Sequence, residues 1–378
     1  MSSLTVPFAR RALLHHRRRL AAALAGVTLA VVLANLEIGI LSGFMSNAVV
    51  FIEKIPADLW VMARGTPNFD MSHAMPESNL DRIKSVRGVL WAEKMLVAWA
   101  NWQTASGSIQ NSQVVGLPPG GHLSVPFPVE PAGVALSGIP GEALIDRTDQ
   151  ARLLVTGPGE SAELTGRRIV VRGFTTGMRS FTTNPYVLMH FEDARKSSLA
   201  APGTTSYVLV KAAPGVTVEE LRAEVRRALP EADVLTSAEF SRRTKAYWIF
   251  GTGLGGAFFL TALLGFLVGG VIVGQVLYAL VQEQRAEFGV LKAMGAGRAM
   301  LLRIIAGQAL IIALAGAALG QLLSVGLAHL IRTTGSPLEL AWDLCAAVLA
   351  AVMVTCLAAA ALPLRRVLKL EPAMVFRG

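Results

Sequence analysis

Six histidines and two cysteines are the side chains here best suited to hold a metal or attack a substrate. Their spacing points to neither. His15 and His16 adjoin Arg17, Arg18 and Arg19 and read as part of a solvated basic tail. His73, His122, His190 and His329 have no neighbour at ligand spacing. Cys345 and Cys356 fall on one face of a helix but ~16 Å apart along its axis, too far to pair within it. No H-E-x-x-H, no paired-cysteine zinc spacing and no G-x-S-x-G elbow occurs. A G-x-x-x-x-G-K-[ST] loop is also missing, so the sequence offers nothing to cradle ATP phosphates. The carboxylates are dispersed, and the expectation is a non-catalytic chain with no metal or cofactor of its own.

The elements that carry these residues are mostly membrane helices. Apolar residues make up 53% of the 378 and charged residues 16%, far from the balance of a soluble domain. Runs longer than about 18 apolar residues can span a bilayer. The net charge of +9 does not point to nucleic acid, because of where it lies. Residues 1–20 hold five arginines and no acid; 282–303 hold four basic and two acidic residues; 364–378 hold four and one. Residues 44–247, by contrast, hold 21 basic and 20 acidic side chains. Positive charge kept on one side is the signature of membrane topology, with both termini inside.

In chain order, 1–19 is a cytoplasmic basic tail and 20–55 a first membrane helix with a stalk. Its apolar run is longer than a cleavable signal core, which favours a retained helix. Glu37 interrupts it ~27 Å beyond Arg19. It reads either as a carboxylate reaching the outer interface or as a substrate contact. Residues 56–245 read as an extracytoplasmic α/β domain. Its membrane-proximal strand–helix–strand lobe takes 56–104 and 201–245, and a second, β-rich lobe takes 105–200. Strands are expected near 57–63, 89–102, 109–117, 168–174, 186–189, 206–212 and 234–236. Thr217 and Glu220 form a capping box that starts a helix over 217–229.

Residues 246–281 read as a second stalk and membrane helix, ~50 Å long if wholly helical. Gly265/Gly269 and Gly270/Gly274 are small-xxx-small pairs on it, suited either to a dimer seam or to packing within one subunit. Residues 302–331 and 341–364 supply the third and fourth helices, and 365–378 a cytoplasmic tail. Polar residues within the spans are few, which disfavours an ion pore.

Residues 282–301 form a charged interval between two long uncharged runs. Phe288, Leu291, Met294 and Leu301 can share one helical flank, with Glu283, Arg285, Glu287 and Lys292 around the rest. Gly295 and Gly297 follow, where a helix would end. The spacing fits an amphipathic boundary helix and equally an ordinary charged loop.

One helix, a large inserted domain, three further helices and this charged interval resemble the MacB/FtsX-like ABC transporter permeases. EQRAEFGVLKAMGAGRAML resembles that family's ATPase-coupling segment, and LEPAMVFRG its carboxyl-terminal pattern. Segments 141–149 (GEALIDRTD), 174–188 (FTTGMRSFTTNPYVL) and 237–248 (SAEFSRRTKAYW) resemble the DevC-type branch, with Glu37 and Met374 departing from its pattern. The resemblance covers essentially the whole chain. It implies four transmembrane helices with a mixed α/β domain between the first two. It also implies a separate ABC ATPase that binds ATP and Mg, a homodimer of this chain, a lipid bilayer, and a periplasmic adaptor with an outer-membrane channel. The coupling residues it implies are Glu283, Arg285, Glu287, Phe288, Leu291, Lys292, Met294 and Gly295. The expected function is mechanotransmission: ATP-driven closure moves the long helices, and a hydrophobic or glycolipid-like cargo is exported at the outer face of the inner membrane. Alternatives are an FtsX-like regulator of a cell-wall hydrolase, or a lipoprotein-release or haem-efflux permease.

Overall fold

A computed structural model describes residues 17–136, 138–182, 184–333 and 338–368. The amino tail with His15 and His16, and the closing segment with Met374, lie outside the described residues. The chain divides into two compact units, Met1–Gly43 with Gly255–Gly378, and Phe44–Leu254.

Among its described residues the first unit holds four helices long and apolar enough to cross a membrane. They are Arg17–Ala48, Leu254–Glu283, Arg298–Thr333 and Trp342–Ala359. Residues 246–281, read as a stalk followed by a membrane helix, do not form one unbroken α-helix. Tyr247–Gly251 makes one π-helical turn, and the α-helix begins only at Leu254. Gly253 lies between them with φ +73°, a conformation that costs a side chain dearly and glycine little. Thr252 also bends the chain, its Oγ1 donating to the Trp248 carbonyl at 2.7 Å.

The second unit is built on strands β1 (Leu59–Ala63), β2 (Met75–Pro76), β3 (Val89–Gln103), β4 (Ile109–Leu117), β5 (Val129–Glu130), β6 (Glu142–Asp146), β7 (Ser161–Leu164), β8 (Arg167–Thr175), β9 (Tyr186–His190), β10 (Thr204–Thr205), β11 (Tyr207–Ala212) and β12 (Ala232–Thr236). Ten strands form one sheet in the order β12-β1-β11-β3-β4-β9-β6-β8-β5, with β7 beside β3 and β8. The 15-residue β3 pairs with β11 along its first half and with β4 along its second. Each half has its own core. Leu59, Val61, Val208 and Val210 pack with Ile83, Leu221 and Val225 from helices Asn79–Lys84 and Val218–Ala228. Leu96, Trp102, Val114, Ile145, Val171 and Val187 form the other.

Both bonds of the Thr217/Glu220 capping box are present. A second box, Thr236/Glu239, opens helix Ser237–Ala246 and went unread in the sequence, although its T-x-x-E spacing is the same. Strand β6 was also unread, because acids bracket it. All five of its residues are buried, with Glu142 paired to Arg172 at 3.1 Å and Asp146 accepting from the Met178 N–H at 2.8 Å.

Opposite the aliphatic core, an aromatic cluster closes the other face of the sheet. The Phe51 ring stacks on Phe69 at 5.2 Å and meets Tyr186 edge-on at 5.1 Å. Phe69 stacks on Tyr207 at 5.7 Å, and Trp60 packs against Tyr207 and Phe240 at 5.4 Å each. The Tyr207 hydroxyl donates to the Phe69 carbonyl at 2.9 Å, and the Gln113 amide to the Asp70 carbonyl at 3.0 Å. These bonds pin the loop before β2 between the two halves of the sheet. Asp70, 3% exposed, accepts from the Tyr186 hydroxyl, yet burial pushes its carboxyl up to about 6.

An acid raised on folding stabilises the fold fully below its unfolded value of 3.8, and that contribution is lost as pH rises through about 6. Ionising Asp70 in place costs about 3 kcal/mol at 1.36 kcal/mol per pH unit. Thermal unfolding of the full-length chain in detergent should therefore show this unit less stable at pH 8 than at pH 5. Asp149 in the same unit, its carboxyl pushed up to about 7 by burial and the neighbouring Asp146, contributes in the same direction, so Asp70→Asn should reduce that difference without abolishing it; an undiminished pH dependence in the variant would contradict the assignment to Asp70.

Candidate coupling surface

The charged interval folds as a short helix, Arg285–Ala293, entered from the second membrane helix through a one-residue break at Gln284. Its end is fixed by a Schellman pair. The Gly295 N–H bonds the Lys292 carbonyl at 3.0 Å, and the Ala296 N–H bonds the Leu291 carbonyl at 2.9 Å. Gly295 sits at φ +89°, the left-handed position this motif needs. The third membrane helix then starts at Arg298.

Phe288 and Leu301 are fully buried, and Leu291 packs beside them, in the core formed by Leu280, Val281, Ile304, Ile305 and Cys356. Met294 departs from the expected flank. The helix stops at it, so its side chain leaves the helical stripe and is 71% exposed. Glu287 and Val290 are exposed on the same short helix, and Lys292 is half-buried. Glu283 pairs with Arg19, joining the start of the first membrane helix to the end of the second. Arg285 opens the helix, and its side chain lies outside the described residues. The surface left open by the buried Phe288 root is thus a patch of one carboxylate, Val290 and Met294, ended by glycine.

Above it the bundle is held by close backbone approach. A methyl on Gly316 would lie 2.7 Å from Val27, and one on Gly320 would lie 2.6 Å from Val31. The Thr28 hydroxyl donates to the Gly316 carbonyl at 3.1 Å. Asn35, 2% exposed, donates to Gln321 at 2.9 Å and Ser324 at 3.1 Å, and Gln321 donates on to the Cys345 carbonyl at 3.0 Å. Three helices are therefore tied at one polar node. In the sequence these residues stand out only as sparse polar groups within the spans.

Glu37 is half-buried two residues beyond that node. Just past it the Gly39 carbonyl accepts from the Glu339 N–H at 3.0 Å, so it lies level with the chain entering the fourth helix. Gly269 and Gly270 are packed within the chain, where added methyls would sit 2.9 Å from Ala30 and 2.8 Å from Thr355. Gly265 and Gly274 have ordinary contact distances of 3.9 and 3.5 Å. Gly270 and Gly274 line an open groove of about 480 Å³ with Leu267, Gln275, Tyr278 and Thr355. Among the described residues no group of three or more His, Cys, Asp or Glu could hold a metal ion.

These features define a polytopic membrane protein: four spanning helices, an α/β domain inserted after the first, and an exposed helix between the second and third. Two family models match it, the MacB-like periplasmic core domain over residues 20–228 and the FtsX-like permease C-terminal region over 257–372. An uncharacterised ABC transporter permease of Mycobacterium tuberculosis (strain ATCC 25618 / H37Rv) is 24% identical over 365 residues, 96% of each chain. One from Mycobacterium bovis (strain ATCC BAA-935 / AF2122/97) matches equally, at 24% over the same share. The extracellular domain of the ABC-type transporter YknZ from Gram-positive bacteria has a TM-score of 0.36 at 17% identity, over 47% of this chain and 98% of that one. The periplasmic region of MacB from Actinobacillus actinomycetemcomitans has a TM-score of 0.38 at 9% identity, over 50% and 94%. On the family models, this chain belongs to the MacB/FtsX-like ABC transporter permeases. Membership implies a partner chain that carries the ATPase.

Overpacking a tight helix contact costs about 1–3 kcal/mol. Gly320→Leu should therefore lower the unfolding temperature of the detergent-solubilised chain. Gly326→Leu, on the same helix with nothing within 4 Å, should leave it nearly unchanged. Equal effects of the two would show that the Val31–Gly320 contact does not set the packing.

Proposed function

We propose that this chain is the membrane subunit of an exporter that works by mechanotransmission. A separate ATPase docks on Arg285–Ala293 and moves the long helices, and a hydrophobic or amphipathic cargo of glycolipid type is released at the outer face of the inner membrane. The observation that carries this reading is the construction of the short helix. Phe288 is rooted in the bundle core while Glu287, Val290 and Met294 face outward, so a push on the exposed side is delivered to the packed side. The Schellman closure at Gly295 makes the element a defined helix with a stiff end.

Two copies of the chain would meet two ATPases. The apolar residues exposed along the outer half of the second membrane helix, among them Phe259, Leu260, Leu263 and Leu264, are compatible with a second copy as well as with lipid. The basic segments at 1–20, 282–303 and 364–378 support cytoplasmic termini. The support for a periplasmic adaptor and an outer-membrane channel is the likeness of 141–149, 174–188 and 237–248 to the DevC-type branch. Glu37, level with the outer ends of the helices, remains our candidate for cargo contact.

The test uses the ATPase that co-purifies with the full-length chain from native membranes. Glu287→Ala combined with Val290→Asp should reduce the co-purified ATPase about tenfold, equivalent to about 1.4 kcal/mol. Membrane insertion and the thermal stability of the chain should be unchanged. Wild-type recovery of the ATPase with the double variant would refute docking at this helix.

A further inference from the structure

Three stretches noted for their likeness to one branch of the family meet in space, and neither the membrane unit nor the coupling helix accounts for that. The loop from Thr176 to Thr182 leaves β8 and is pinned near its start, where the Met178 N–H bonds the Asp146 carboxylate at 2.8 Å. Beyond the loop, the Pro185 carbonyl accepts from the Gln113 N–H at 2.9 Å. Within it the Ser180 hydroxyl meets the Thr182 hydroxyl at 2.8 Å and accepts from the Thr182 N–H at 3.1 Å, which stiffens the turn. Phe181 sits at the tip. Its ring stacks on Trp248 at 3.9 Å and 27°, and meets Phe44 edge-on at 5.5 Å. Only 8% of Phe181 and 6% of Trp248 is exposed.

Phe44 and Trp248 belong to chain segments of different character. Phe44 lies in the unbroken helix Arg17–Ala48. Trp248 lies in the π-helical turn Tyr247–Gly251, which is followed by the bend at Thr252 and Gly253. A rod transmits thrust along its axis, whereas a glycine at φ +73° between two helical segments transmits little. The Trp248 indole N–H is buried and has no acceptor among the described residues, so the ring is held there by packing.

We propose that Phe181 is a positioning residue that couples the outer ends of the first and second membrane helices to the β-rich half of the sheet, with Thr252–Gly253 acting as a swivel. Thrust along the first helix reaches Phe44 and is passed through Phe181 to Trp248 and to the Asp146 anchor at the end of β6. The second helix follows by turning at its bend. This inference rests on the mechanotransmission reading and adds the contact through which the motion enters the domain.

Hydrogen exchange on the full-length chain, with its co-purifying ATPase and with or without ATP and vanadate, separates the two ideas. In the wild type, trapping the ATPase should change exchange at least about threefold in β6 and β8. Phe181→Ala should abolish that change while the same amount of ATPase co-purifies. Asp146→Asn keeps the size of the anchor but removes an acceptor from the Met178 N–H, and it should act in the same direction. Phe181→Tyr, which keeps the ring, should restore the response. A full response in both Phe181→Ala and Asp146→Asn would overturn the role of the strap while leaving mechanotransmission standing. No response in the wild type would overturn mechanotransmission and this inference with it.

Discussion

The membrane unit depends on how closely the first and third helices approach. Lipid tails are as apolar as leucine, so apolar burial gives no net drive for helix association within the bilayer, and close packing and hydrogen bonds must supply it. Gly316 and Gly320 let Val27 and Val31 come into contact with the third helix, and Thr28 and Asn35 add bonds along the same seam. The core that results reaches down to Phe288, Leu291 and Leu301. The helix Arg285–Ala293 is therefore placed by its neighbours: at nine residues it has too little internal hydrogen bonding to be stable alone.

The domain solves a different problem, that of keeping two half-sheets in one body. Strand β3 provides covalent continuity, and the cluster of Phe51, Phe69, Trp60, Tyr186 and Tyr207 fills the face that the aliphatic core leaves open. Edge-on and offset ring contacts of this kind add about 0.5–1.5 kcal/mol each beyond their burial. Burying Asp70 among them costs stability at neutral pH, and its backbone and hydroxyl partners keep the loop before β2 in place despite that cost.

Much of this was readable in the sequence, for identifiable reasons. The four spans follow from length and hydropathy, and Val218–Ala228 follows from its capping box. Phe288 and Leu291 at helical spacing, and Gly295 after them, anticipated the buried flank and its glycine-closed end. Met294 was misplaced because pattern reading extends a helix past its cap. The break before Leu254 was missed because glycine in an apolar run means either a bend or a packing surface, and Gly269 and Gly270 on the same helix are the second kind. Strand β6 was hidden by Glu142 and Asp146, whose partners Arg172 and Met178 are distant in sequence. The Phe181 contact could not be read at all, since it joins three segments that only the topology brings together.

In the proposed mechanism, force enters through the exposed side of Arg285–Ala293. The most direct measurement places a photo-crosslinking amino acid at Val290 in the full-length chain in living cells, with the same group at the exposed Trp99 of the second unit as a control. The account predicts an ATP-sensitive adduct with an ATPase subunit from Val290 and none with that subunit from Trp99. An ATPase adduct from Trp99, or adducts with lipid alone from Val290, would contradict it.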